Sequence, residues 1–268
     1  MKTILTDSQV VFMEGDKAAG IYVLNDAFKP HFSEFNTPAG HNLTMVSPGD
    51  HRHHKGVMYA LVAEDVCFWE EEPGSGHCGI QEILSTEAID GGIRQTLLWR
   101  EEQGHLHTYT ETRTIICVRK ENAFEWTWKT ERKALRDHRL IQSKWAHEST
   151  DGRLINYHGL GIRLPWMWSF GADGSDAFGW LEVDGQPTET LEAHGNMADN
   201  VGIWGIIDGQ WDRTKARVSM SHQHGFPWYM IRGDFAYIAS GPSVAGPVDV
   251  KTGQTFSETY VIRAEDIS

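Results

Sequence analysis

Cysteine is scarce. Cys67, Cys78 and Cys117 are three thiols in 268 residues with no Cys-x-x-Cys spacing, which excludes a disulfide framework and a cysteine-type zinc site. They are expected to be reduced packing residues. Basic charge is short as well: 24 Lys and Arg stand against 37 Asp and Glu, a formal net charge of −13, and no run of cations offers a phosphate footprint. Nucleic acid and an anionic membrane surface are therefore not expected partners. No apolar run approaches the ~20 residues of a membrane helix, and Met1-Lys2-Thr3-Ile4-Leu5-Thr6-Asp7 lacks the apolar core of a secretion signal, so a soluble, cytoplasmic protein is expected. Helical periodicity is missing too. The best stretch, Glu131 to Asp137, is too short and too polar for a core helix, and no strand-turn-helix glycine fingerprint points to a flavin or nicotinamide.

What is present is β-sheet chemistry. Hydrophobic residues make up 40% of the chain, enough for a sizeable core, and eleven tryptophans are spread along it. Phe124, Trp126 and Trp128 alternate with Glu125, Thr127 and Lys129, the period of a half-buried strand. Short strands are predicted at Gln9–Met13, Ala19–Leu24 and Leu43–Val46, with a buried run at Val57–Val62. Turn signals punctuate them at Pro73-Gly74, Asp90-Gly91-Gly92, Asp151-Gly152, Asp173-Gly174, Asp184-Gly185, Asp208-Gly209, Gly241-Pro242 and Gly246-Pro247. The pattern predicts an all-β fold, an antiparallel β-sandwich, with residues 1–268 as a single domain. No fixed repeat or linker interrupts it, and a homo-oligomer is left open.

The densest chemistry lies in Asp50-His51-Arg52-His53-His54-Lys55-Gly56, three imidazoles and three charges between the turn Pro48-Gly49 and the apolar run from Val57. Imidazole titrates nearest neutrality, so such a cluster suits acid/base chemistry or metal ligation. In an extended segment His51 and His53 share one face and His54 the other. Ahead of it, Lys29 and His31 sit two apart. Behind it, Trp69 adjoins the acidic run Glu70-Glu71-Glu72, and Glu82 stands among apolar neighbours where partial burial would raise its pKa and suit it to act as a base. His158 precedes Gly159 and Gly161, and Arg163 follows, placed to hold a substrate oxygen. His222 and His224 flank Gln223. From Gly104 onward His105, His107, Tyr109, Glu111 and Arg113 occupy every second position, a polar ladder of the kind a sugar-binding sheet would present. His51, His53 and Glu82 would make a two-histidine, one-carboxylate set for a divalent metal if the fold assembled them. No other cofactor is implied.

The run from Lys29 to Leu61 resembles the signature of the soluble bacterial PmoA-like family, whose members read K/R-P-Y-x-x-P-x-x-T-P-x-G and then D-H-P-x-H-x-G-L. Phe68-Trp69-Glu70-Glu71, Gly159 to Arg163 and Trp228 to Phe235 resemble further family blocks. His51 and His54 match the pattern, whereas His31 replaces a tyrosine and Glu34 and Arg52 replace prolines. The family label implies a methane-oxygenase subunit, a membrane complex, which the missing spanning segment argues against. The ending Val250 to Arg263 is similar to the last strand of aldose-epimerase (galactose-mutarotase-like) domains, which implies an antiparallel super-sandwich that binds sugars.

Together these readings predict a carbohydrate-active enzyme that moves a proton at or beside a sugar carbonyl or anomeric centre, an epimerase, mutarotase or lyase. The expected catalytic set is His51, His54, Glu82 and His158, with Lys29, His31, His53, Trp69, His107 and Arg163 contacting the substrate. The competing classes are a non-catalytic sugar-binding module and a metal-dependent oxygenase.

Overall fold

The alternation at Phe124, Trp126 and Trp128 becomes one face of a long strand, Ala123–Ala134, with each of the three rings only 1% exposed. The computed structural model describes residues 1–148, 154–169, 179–188, 192–195, 199–207, 214–233 and 235–267. The turn signals at Asp151-Gly152, Asp173-Gly174 and Asp208-Gly209 lie outside those residues, as does Trp211. Among the described residues two nine-stranded antiparallel sheets dominate. The first runs, in spatial order, Lys2–Leu5, Gln9–Glu14, Lys17–Val23, His31–Phe35, Val57–Ala60, Gly159–Arg163, Ala236–Ser240, Trp228–Arg232 and Glu192–Gly195. The second runs Gln186–Thr188, Gly179–Val183, Asn200–Ile206, Lys215–His222, Thr255–Ile267, Ala123–Ala134, His107–Arg119, Gly92–Glu101 and Gly79–Ile89.

The sheets pack face to face through aromatic rings. Phe12 and Phe32 of the first sheet each stand 4.9 Å from Trp126 of the second, and Tyr22 stands 6.1 Å from Trp128. Edge-to-face rings at such spacing add to the hydrophobic gain of burying them. The fold is thus an all-β antiparallel sandwich, as the alternation and the turns predicted. At Asp184-Gly185 both residues have positive φ, 49° and 71°, which reverses the chain between Gly179–Val183 and Gln186–Thr188 as a two-residue hairpin requires. Leu43–Val46 is not a strand: Asn42 and Val46 make only isolated bridges. Glu131 to Ala134 finish the long Ala123–Ala134 strand, and the described helical structure is one 3-10 turn, Trp166–Trp168. The three cysteines are free.

The polar ladder divides at a β-bulge between His107 and Tyr109. A bulge inserts one residue and changes the face that follows. His105 and His107 are exposed, and His107 lies outside the cavity that the heptad lines. Tyr109, Glu111 and Arg113 instead point between the sheets, at 0%, 2% and 0% exposure. Glu111 accepts hydrogen bonds from Arg113 Nε at 2.8 Å, Thr130 Oγ1 at 2.6 Å and Trp99 Nε1 at 2.6 Å. Arg113 also donates to Tyr22 at 2.8 Å and Gln81 at 3.0 Å. Beside this pair Arg132 binds Glu258, which accepts further bonds from Tyr59 at 2.8 Å and Tyr260 at 2.9 Å. The ladder is a ligand set for the protein's own buried charges, which must be paired to be tolerated there.

Candidate functional site

The histidine heptad closes into a loop rather than extending. His51 N–H donates to Pro48 O and His54 N–H to His51 O, both at 3.0 Å, two successive turns that set His51 and His54 on the same side. Ser47 N–H bonds His54 O at 2.7 Å and Val46 bridges Lys55, so the loop is pinned at its base. Gly56 follows with φ 62°, and a Cβ there would fall 2.0 Å from Phe32 O; only glycine passes. The neighbouring strand clamps both ends: Arg163 N–H bonds Gly56 O at 2.8 Å and its carbonyl receives Met45 N–H at 3.0 Å.

All three imidazoles therefore converge. Ring centroids of His51 and His54 are 4.6 Å apart, His53 and His54 4.7 Å, and His51 and His53 5.9 Å. Asp50 Oδ2 lies 2.6 Å from His51 Nδ1 and accepts Arg163 Nη2 at 3.1 Å, while Arg163 Nη1 meets His54 Nδ1 at 3.1 Å. A guanidinium only donates, so His54 Nδ1 accepts and its hydrogen sits on Nε2, which has no partner among the described residues. The ionised Asp50 accepts from His51 Nδ1–H, leaving His51 Nε2 as the nitrogen with a free lone pair. A cavity of about 380 Å³ opens on this group, lined by Asp50, His51, His53 and His54 together with Trp145, Tyr157, Tyr229 and Phe235. Behind it Trp69 packs against His54 at 5.4 Å, and Tyr237 stacks on His54 at 5.3 Å. Gly161 makes room for Tyr237, since a Cβ would fall 1.7 Å from its hydroxyl.

Charge in the site is fixed by its partners. Burial works against ionisation of Asp50, but the bonds from His51 and Arg163 prevail and hold its carboxyl below the usual carboxylate range. Burial drives His54 far down and His53 to about 3, helped by the nearby cations. Both are neutral imidazoles at pH 7.

The other predicted site residues have different places. Glu82 lies on the edge strand Gly79–Ile89, 42% exposed, with its carboxylate 2.5 Å from Arg100 Nε. It is a surface ion pair rather than a partly buried base, and the expected His51, His53 and Glu82 metal set is not assembled; among the described residues no three His, Cys, Asp or Glu side chains are grouped to hold a metal ion. Lys29 is buried and ties the Trp69–Glu71 segment, donating to Trp69 O at 2.8 Å and pairing with Glu71 at 3.3 Å. His31 is buried with Nδ1 3.0 Å from Lys29 O, also outside the cavity. Trp69 forms the wall behind the imidazoles, and Arg163 positions Asp50 and His54 from below. His158 is wholly buried behind Trp69, ring centroids 5.3 Å apart, with no cavity access for the catalytic role expected of it. Residues that the sequence did not single out are Asp50 as the partner of His51, Trp145, Tyr157 and Phe235; the adjacency of Asp50 to His51 was the available signal.

His158 carries a testable consequence for stability. Burial pushes its pKa down to about 3, the neighbouring Ile141 backbone offsetting only part of this. Between that value and the ordinary 6.5 the unfolded chain binds a proton that the folded chain refuses, so its contribution is full above pH 6.5 and is lost on acidification. Stability measured by urea denaturation should fall from pH 6.5 to 5, and His158→Gln should flatten that slope by about 1 kcal/mol per pH unit. An unchanged slope would show that His158 does not resist protonation.

A family model described as "Family of unknown function (DUF6807)" matches residues 9–266. No curated protein matches the chain. Among solved structures the chain is similar to the GH36 alpha-galactosidase AgaB from Geobacillus stearothermophilus, with 9% identity and a TM-score of 0.53 over 99% of this chain and 41% of that one. The chain thus spans 41% of that enzyme's length, and the likeness speaks to the fold alone. It is also similar to a galactose mutarotase related enzyme from Lactobacillus acidophilus, with 8% identity and a TM-score of 0.40 over 100% of this chain and 97% of that one.

Proposed function

The chain belongs to DUF6807, a family described by no activity, and we propose its function from the cavity itself: an enzyme that moves a proton at or beside a sugar carbonyl or anomeric centre. The Asp50–His51 pair carries this reading. A carboxylate held ionised by Arg163 fixes the imidazole tautomer, and the resulting base faces a cavity with aromatic walls. Aromatic faces accept the C–H faces of pyranose rings, while Asp50 and the imidazoles supply the directional contacts that polyols need.

The chemistry divides between two imidazoles. His51 takes the proton from substrate through Nε2 and becomes imidazolium, stabilised by Asp50. The electron pair released from a C–H bond moves to the adjacent carbonyl oxygen, for which His54, a cavity-lining residue unlike His158, supplies its buried and unpartnered Nε2–H as donor. His54 suits this task because it is neutral and its hydrogen is fixed by Arg163. Water delivers a proton to the opposite face of that carbon to give the epimer, the imidazolium of His51 returning its own proton to solvent; departure of a β-oxygen, with its electron pair and the proton held on His51, gives the unsaturated sugar. For mutarotation the same base takes the anomeric hydroxyl proton as the ring C–O bond opens, and the released ring oxygen takes a proton from water. The family resemblance to PmoA-like proteins adds no residue to this scheme beyond His51 and His54.

The test is a turnover screen. Aldoses and keto-sugars incubated with the protein are followed by NMR for anomer exchange, epimers or an unsaturated product. At least one sugar should be converted, and sugars that bind the cavity without any of these changes would instead make the protein a binding module.

A further inference from the structure

We propose that the site takes a two-unit sugar rather than a single ring, with the linkage between the units beside His53; this rests on the sugar reading above. A second cavity, of about 630 Å³, adjoins the first, and His53 and Trp145 line both. Pockets for small ligands run to about 300–1,000 Å³, so the inner 380 Å³ and the outer 630 Å³ are each large enough for one unit.

The two residues at the junction are the ones left available for a ligand. Among the described residues His53 makes no side-chain hydrogen bond, although its ring is packed against His54 at 4.7 Å and Trp69 at 5.5 Å, so the imidazole is fixed in place with its nitrogens unused there. Trp145 is 62% exposed, a large ring held out from the core while six other tryptophans are fully buried. Lys144 Nζ stands 5.6 Å over this indole, and the ring, set between the two cavities, offers its remaining exposed face to a sugar.

The cavities differ in chemistry, which assigns the units. The inner one holds the Asp50–His51 pair and therefore the reacting ring. The outer one has Arg52, Lys55 and Lys144 against Glu70, Glu71 and Glu72. Lys55 pairs with Glu71 at 3.2 Å and Lys144 with Glu72 at 2.6 Å, so the wall is balanced in charge. A phosphorylated or carboxylated unit would find no net attraction there, whereas an uncharged, hydroxyl-rich unit would find donors and acceptors in equal supply. The substrate class is a neutral disaccharide or a glycoside with a polar second unit.

Calorimetric titration of the full chain with lactose, cellobiose, maltose and sucrose, beside glucose, galactose and fructose, tests this. At least one disaccharide should bind about tenfold or more tighter than either of its component sugars. In the double variant Arg52→Ala/Lys144→Ala, both changes confined to the outer cavity, that ratio should fall below about threefold. Monosaccharides that bind with no gain from a second unit would overturn the two-unit site and leave the sugar reading standing, as would a gain that persists in the double variant. Absence of binding by every sugar of either size would overturn both.

Discussion

His51→Ala is expected to lower turnover of an accepted sugar by about 10²–10⁴-fold while changing its affinity little. The imidazole gives one wall of the cavity, but Trp145, Tyr229 and Phe235 give the others, so ring stacking survives its loss. What disappears is the base. Asp50→Asn separates the two roles of that carboxylate. The amide keeps an oxygen to accept Arg163 Nη2, so the loop remains clamped, but it no longer stabilises the imidazolium formed on His51. Its turnover should fall by about 10²-fold or more at unchanged affinity. Equal turnover in wild type and Asp50→Asn would remove Asp50 from the mechanism. Steady-state kinetics with kcat and KM resolved separately give the answer.

The second large effect is on stability. Arg132 and Glu258 are 1% exposed each, and Arg132 stacks 3.9 Å over the Tyr59 ring. Arg132→Met removes the cation and leaves Glu258 among Tyr59 and Tyr260 alone, at a cost of about 3–5 kcal/mol in urea denaturation. Burial already pushes the Glu258 pKa up despite Arg132, and without Arg132 the carboxyl would protonate on folding. Arg132→Met/Glu258→Gln removes both charges and should recover much of the loss, because two neutral groups leave no unpaired ion behind. A double variant as unstable as the single one would mean that packing, and not charge, accounts for the cost.

The comparison of sequence with structure turns on phase and chain reversal. The sandwich was legible because Phe124, Trp126 and Trp128 keep a strict two-residue period, and nothing competes with it. Glu82 was misplaced because Ile80-Gln81-Glu82-Ile83 sets two polar residues between two apolar ones, which leaves the phase undecided. In the fold Gln81 points inward, 3% exposed, and donates to Tyr59 O at 2.6 Å, while Glu82 points to solvent. His107 was misplaced by the bulge that follows it, which periodicity does not register. The heptad was legible as a dense cluster of imidazoles, but its geometry was not. Two successive turns put His51 over His54, whereas an extended strand would have separated them. His158 and Lys29 belong to conspicuous motifs, yet burial gives them the tasks of filling and tying the wall behind the imidazoles. The group that faces the cavity is built on residues already side by side in the chain, Asp50 and His51, with Arg163 brought to them from a strand more than a hundred residues later.

The central claim is that His51 exchanges a proton with a sugar carbon or hydroxyl in the cavity. Heavy water reads this directly: a sugar accepted by the protein is incubated in it, and deuterium at each carbon is followed by NMR for wild type and His51→Ala. The account predicts incorporation at one carbon beside the carbonyl, or anomer exchange where that is the reaction, in the wild type and its loss in the variant. Equal rates in the two proteins would contradict it.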